Sequence, residues 1–156
     1  MTTAIVERLA QSDFERMRWK AVWRNWFSWL RRTCNCLVAL SEIWPCLPAW
    51  QQHDVGLQVV PLEKIIGSEG RAQDFDRTFA LRHDQTQERW IRIDQAYYEQ
   101  RPLPPVSLIK INDWYFVRDG NHRVSVARSR GQAFIDAEVT ELIVPTSTDL
   151  SRCFNV

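Results

Sequence analysis

The sequence predicts an α/β (α+β) fold with a small mixed sheet, preceded by a separate amphipathic helix, and three observations lead there. Short β-branched or apolar runs alternate with helical patterns over residues 55–144. Glycines and prolines stand between those runs at tight-turn spacing, and 45% apolar with 25% charged residues is a mixture that can bury a core. The first third differs in kind: of eight tryptophans, Trp19, Trp23, Trp26, Trp29, Trp44 and Trp50 fall in the first fifty residues, leaving Trp90 and Trp114 beyond. Charge divides likewise. The net charge is +1, but residues 1–35 carry seven basic groups against three acidic, so the remainder is mildly acidic. The expected organisation is a basic amphipathic helix in 1–35, a linker over 36–54, one compact domain over 55–144 and a tail over 145–156. Two large domains, wholesale disorder and a uniformly basic nucleic-acid surface are excluded.

Within the N-terminal part, Ser12 and Glu15 have the spacing of a capping box, which places a helix from about Asp13 to Arg32. At 100° per residue, Trp19, Trp23, Trp26 and Leu30 line one stripe, flanked by Val22, Trp29 and Phe27, with Lys20, Arg24 and Arg31 beside it. Such a stripe has three candidate occupants: the globular domain or a second copy of the chain, a membrane interface, or, ranked last, nucleic acid. Composition alone does not separate them.

Pro45 and Pro48 mark the linker. Cys34, Cys36, Cys46 and His53 have the spacing C-x-C-x9-C-x6-H, which lacks the knuckle that brings two thiolates to one ion, so no metal site is expected. No secretory signal pattern is readable at Met1–Ala10, and no apolar run approaches the roughly 18 residues of a bilayer span. A cytoplasmic location is expected, peripheral to a membrane if the tryptophan stripe docks there, with the four cysteines as reduced thiols.

In the globular part, Leu57–Val60 reads as a strand ended by Pro61, followed by a short helix over Leu62–Ile66 that Gly67 stops. Gly67–Arg71 reads as a loop, and Thr86–Gln100 as a helix with Trp90, Ile93 and Tyr97 on one face. Val106–Ile111 and Trp114–Val117 form a hairpin through Asn112-Asp113, the second strand apolar on both faces as in a covered sheet. Asp119-Gly120-Asn121-His122-Arg123 then opens a helix that Gly131 closes, and Ile135–Thr140 alternates as a last half-buried strand.

A strand delivering a glycine to a helix start builds an anion site, because free amides and the positive dipole end face the ligand. Arg123 in the first turn is poorly placed for that dipole unless an anion or a carboxylate partner is present. The alternative is that Arg123 pairs with Asp119 or Glu69 and merely holds the turn.

The run from Pro105-Val106 through D-G-N-H-R-V-S-V-A-R to Val139 resembles the diagnostic stretch of the ParB/sulfiredoxin superfamily, and Val60-Pro61-Leu62-Glu63-Lys64-Ile65 is similar to its opening. The likeness covers about residues 55–144, as a stand-alone ParB-like domain without a helix-turn-helix. It implies a nucleotide-binding site in which Gly120, His122 and Arg123 hold phosphate with Asn121 and Asp119 at the rim. It also implies Mg with ATP, ADP or CTP, and an NTPase or small-molecule kinase activity with Glu69 as catalytic base. Ser68, Arg71, Asp74 and Asp76 are secondary candidates. Asn121 stands where sulfiredoxins carry the reactive cysteine, which excludes thiol-based reduction. Two other functions stay open: a non-catalytic regulatory or adaptor module docking through Trp19, Trp23, Trp26 and Leu30, and a DNA-binding or nuclease-type ParB-like domain.

Overall fold

The computed structural model describes residues 3–30, 35–47 and 49–145. Arg31, Arg32, Cys34, Pro48, Cys153 and the expected tail beyond residue 145 lie outside them. A six-stranded mixed sheet has the order β1-β3-β5-β4-β6-β2, formed by β1 (Val38–Ala39), β2 (Gln51–Pro61), β3 (Ile65–Ser68), β4 (Val106–Ile111), β5 (Trp114–Asp119) and β6 (Phe134–Ile143). Helices α1 (Thr3–Leu30), α3 (Gln87–Tyr98) and α4 (Asn121–Ser129) supply side chains to one core, and the single-turn α2 (Leu40–Ile43) to a second.

Strand periodicity explains the two cores. Val106 and Leu108 of β4 and Val117 of β5 face the three long helices, while Ile109, Ile111 and Phe116 face Leu40, Ile43 and Leu47. The apolar character of β5 on both faces thus reports a covered sheet, as the sequence predicts. The β4–β5 hairpin turns at Asn112 with φ 53°, also as expected.

The stretch expected as a linker is different. Residues 38–46 form β1, α2 and a 3₁₀ turn, β2 starts at Gln51, and Leu40 and Ile43 are fully buried. Leu40 and Ile43 before Pro45, and Leu47 after it, close the second core, a tertiary use that composition does not reveal. Gly67, expected to stop a helix, lies in β3 between β1 and β5. A Cβ there would meet the Val38 carbonyl and come within 2.5 Å of the Phe116 ring, so only glycine fits. Cys36 and Cys46 are each disulfide-bonded, which overturns the expected reduced thiols at those two positions; cysteine spacing along the chain does not show which sulfurs meet in space.

Helix α1 begins at Thr3, ten residues before the expected start, so Ser12 and Glu15 stand mid-helix and form no cap. Val6, Ala10, Phe14, Met17 and Ala21 bury the face that carries the early turns, and tertiary packing overrides the local cap signal. This buried face lies roughly 170° around the helix from the tryptophan stripe at about 100° per residue. Trp19, Trp23, Trp26 and Leu30 therefore point away from the domain and are exposed. The helix is apolar on two opposite faces instead of one.

Trp90 joins the helices. Its buried indole meets Phe14 of α1 edge-on at 5.5 Å and donates Nε1–H to Ser125 Oγ of α4 at 2.9 Å. Nearby, Tyr98 donates its hydroxyl to Asp13, and Arg130 reaches the buried Asp94 at 2.7 Å while lying over the Tyr98 ring. In urea unfolding, Ser125→Ala strands the buried indole N–H and lowers stability by about 1–3 kcal/mol. An unchanged midpoint would contradict the joining role of this bond.

Candidate functional site

The site begins with a backbone constraint. Strand β5 passes into α4 through Gly120, which has φ 102°, and a Cβ there would stand 2.6 Å from Val106 Cγ1. No side chain caps the helix; Val124 N–H closes the first helical bond on Gly120 O at 3.0 Å. The amides of Asn121, His122 and Arg123 lie ahead of that bond at the positive dipole end.

Arg123 is committed within the fold. One Nη donates to the carbonyls of Pro104 at 2.6 Å and Pro105 at 2.8 Å, and the other to Asp119 Oδ2 at 2.6 Å. The carboxylate partner that a first-turn arginine requires is thus Asp119, and the guanidinium straps the Pro104-Pro105 segment onto the helix start. Expected to hold phosphate together with Gly120 and His122, Arg123 lines the cleft and is engaged by the fold as a strut.

Beside this strut a cleft of about 280 Å³ is lined by Gly70, Arg71, Arg89, Ile93 and the run Arg118–Arg123. Two of its lining side chains are buried and carry polar atoms without a hydrogen-bond partner among the described residues, Asn121 Oδ1 and His122 Nε2. Four arginines border the cleft; Arg118 pairs with Glu69 at 3.2 Å and Arg71 with Asp74 at 3.4 Å. Arg89 makes no ion pair with a described residue. A carboxylate near the cleft is in each case held by an arginine, and among the described residues no group of three or more His, Cys, Asp or Glu could hold a metal ion. This donor set does not fit a resident metal.

The remaining candidates divide by position. Ser68 is buried, donates to Val117 O and accepts from Arg71 N–H, both at 3.2 Å, which positions the loop carrying Arg71. Asp76 is away from the cleft: its Oδ1 accepts from the amides of Thr78 and Ala80, and its Oδ2 faces Arg24 at 3.4 Å. It organises a turn. Arg89 and Arg118 were not legible as site residues. Arg118 adjoins the motif directly and could have been included, whereas Arg89 reaches the cleft through the packing of α3.

Burial first, and then the positive charges of Arg89 and Arg71, push the His122 imidazole down to about 4, against a smaller opposing pull from Asp74. The ring packs edge-on against Phe75 at 5.3 Å and is neutral at pH 7. Unfolding restores a value near 6.5, so between about pH 6.5 and 4 the unfolded chain binds the extra proton and stability falls as pH falls. The slope approaches about 1.4 kcal/mol per pH unit. His122→Phe flattens that limb of a stability-against-pH curve; a limb of unchanged slope would contradict the assignment.

No family model matches the sequence, and no curated protein does. Among solved structures, the crystal structure of sulfiredoxin from Arabidopsis thaliana is similar with a TM-score of 0.41 and 16% identity, over 64% of this chain and 98% of that one.

Proposed function

We propose that the chain binds the phosphates of a nucleotide at the start of α4. The observation that carries this reading is the cleft itself: an uncapped helix N-terminus, buried Asn121 and His122 with unpartnered polar atoms, and bordering arginines in one pocket. The free first-turn amides, His122 Nε2 in the tautomer that carries its proton there, and the arginines each gain a partner from one anion, while Asn121 Oδ1, an acceptor, asks for a hydroxyl or amino donor on the same ligand. The first-turn amides would donate to phosphate oxygens, Arg71, Arg89 and Arg118 would neutralise them, and a neutral His122 would donate one hydrogen bond. The resemblance of Asp119–Arg128 to the ParB/sulfiredoxin phosphate motif supports the same assignment.

Hydrolysis or phosphoryl transfer is the finer part of the proposal. It asks mainly for positioning and charge neutralisation, with a carboxylate to orient the acceptor. Glu69, held at the cleft margin by Arg118, is the group proposed for that task. Any Mg²⁺ would arrive with the nucleotide's own phosphates, since the carboxylates here are engaged by arginines.

Calorimetry with ATP, ADP or CTP and Mg²⁺ tests the reading. Arg89→Ala, which breaks no ion pair with a described residue, is expected to weaken binding about tenfold, the effect of one charge-assisted hydrogen bond. Absence of heat with all three nucleotides, or affinity indifferent to Arg89, would overturn phosphate binding at this cleft. Glu69→Gln is expected to leave affinity within about threefold and to remove nucleotide turnover; turnover that survives it removes Glu69 from the mechanism.

A further inference from the structure

The exposed face of α1 has no partner within the described chain. Trp19, Trp23, Trp26 and Trp29 are each at least 51% exposed, and Val22, Phe27 and Leu30 extend the same surface. Trp23, Trp26 and Phe27 lean on one another with ring centroids 5.3–6.4 Å apart, forming one aromatic ridge. The helix is about 42 Å long at 1.5 Å per residue. Its opposite face is buried in the core, so the domain sits behind the ridge and leaves it free to lie along a flat surface.

A second observation stands beside the ridge. A cleft of about 260 Å³ between α1 and α4 is lined by Arg16, Lys20 and Arg24 of α1 and Arg128 of α4, with Asp13 the acidic residue of the lining. Asp13 is already engaged, by Arg16 at 3.2 Å and by the Tyr98 hydroxyl at 2.5 Å. Arg24 faces Asp76 at 3.4 Å and Arg128 donates to the Leu62 and Ile65 carbonyls, yet the buried Nε of each has no acceptor among the described residues, and Lys20 makes no ion pair with a described residue. Lys20 follows Trp19 and Arg24 follows Trp23 in the chain, so these cations flank the ridge on one side.

The surface therefore asks for two things at once: an apolar phase for indole, valine and leucine, and phosphate oxygens for the flanking cations. A bilayer interface presents both, with the acyl boundary just below a layer of phosphates. A two-fold pairing with a second copy would cover the ridge but bring equivalent cations together without supplying anions. We propose that α1 docks this chain on an anionic bilayer surface, with the tryptophan ridge at the boundary of headgroups and acyl chains and lipid phosphates in the cleft of Arg16, Lys20, Arg24 and Arg128.

The full chain is mixed with vesicles of phosphatidylcholine alone or with added phosphatidylglycerol, and binding is read by sedimentation and by the tryptophan emission shift. Binding to the anionic vesicles, weakened by salt and much weaker on the neutral ones, is expected. The double substitution Trp23→Ser with Trp26→Ser is expected to lower partitioning at least about tenfold, from the apolar area withdrawn. Lys20→Glu is expected to reduce the preference for anionic vesicles by about tenfold or more. These side chains are exposed, so the melting temperature is expected to stay in place and serves as the control. The proposal fails if the chain stays in the supernatant with anionic vesicles, or if binding ignores lipid charge and both sets of substitutions. It also fails if ultracentrifugation shows a dimer that the tryptophan substitutions dissociate while the chain shows no affinity for vesicles.

Discussion

The arrangement of the candidate site depends on the missing Cβ of Gly120. Strand β5 lies against β4, and the chain must leave the sheet and start α4 within one residue, at a point where Val106 allows no side chain. The left-handed turn that results directs the first amides of α4 into the cleft and brings Arg123 back onto the Pro104-Pro105 carbonyls. Arg123, Asp119 and the two proline carbonyls then hold the turn in one geometry. The cleft is thus a consequence of how the sheet ends, and its arginines come from three other places: the loop after β3, α3 and the end of β5.

Charge in this cleft is arranged in two layers. Arg123 is neutralised inside the protein by Asp119, and its work is structural. Arg71 and Arg118 have carboxylate partners at longer range, 3.4 and 3.2 Å, with side chains partly exposed, so those pairs are weak and exchangeable. Arg89 has no such partner among the described residues. In the proposed reading, an incoming phosphate would compete with loose pairs instead of a tight one.

Much of the architecture was legible because it is local. The hairpin at Asn112-Asp113, the glycine entering α4 and the alternation of Ile135–Thr140 each carry their signal within a few residues. What was not legible is tertiary. Ser12 and Glu15 satisfy the pattern of a cap, yet Val6, Ala10 and Phe14 gain more by packing under the domain, and the helix runs through. The tryptophan stripe lies on one face, as its spacing indicates, but nothing in that spacing shows that a second and plainer apolar stripe, of alanine, valine, phenylalanine and methionine, claims the core. In the site, Gly120–Arg123 announced itself, whereas Arg89 entered only through the docking of α3, and Asp76 resembled a site residue because a carboxylate organising a turn looks the same in sequence as one serving a ligand.

The central claim is that α4 begins at a phosphate-binding site. It is tested most directly by titrating ATP with Mg²⁺ into the ¹⁵N-labelled chain and following the amides of Gly120, Asn121 and His122 together with the His122 ring. The account predicts that these resonances move first, saturate together, and that the His122 pKa rises when an anion joins the arginines around it. Saturable shifts confined to another part of the molecule, with the start of α4 and the His122 ring unmoved, would contradict it.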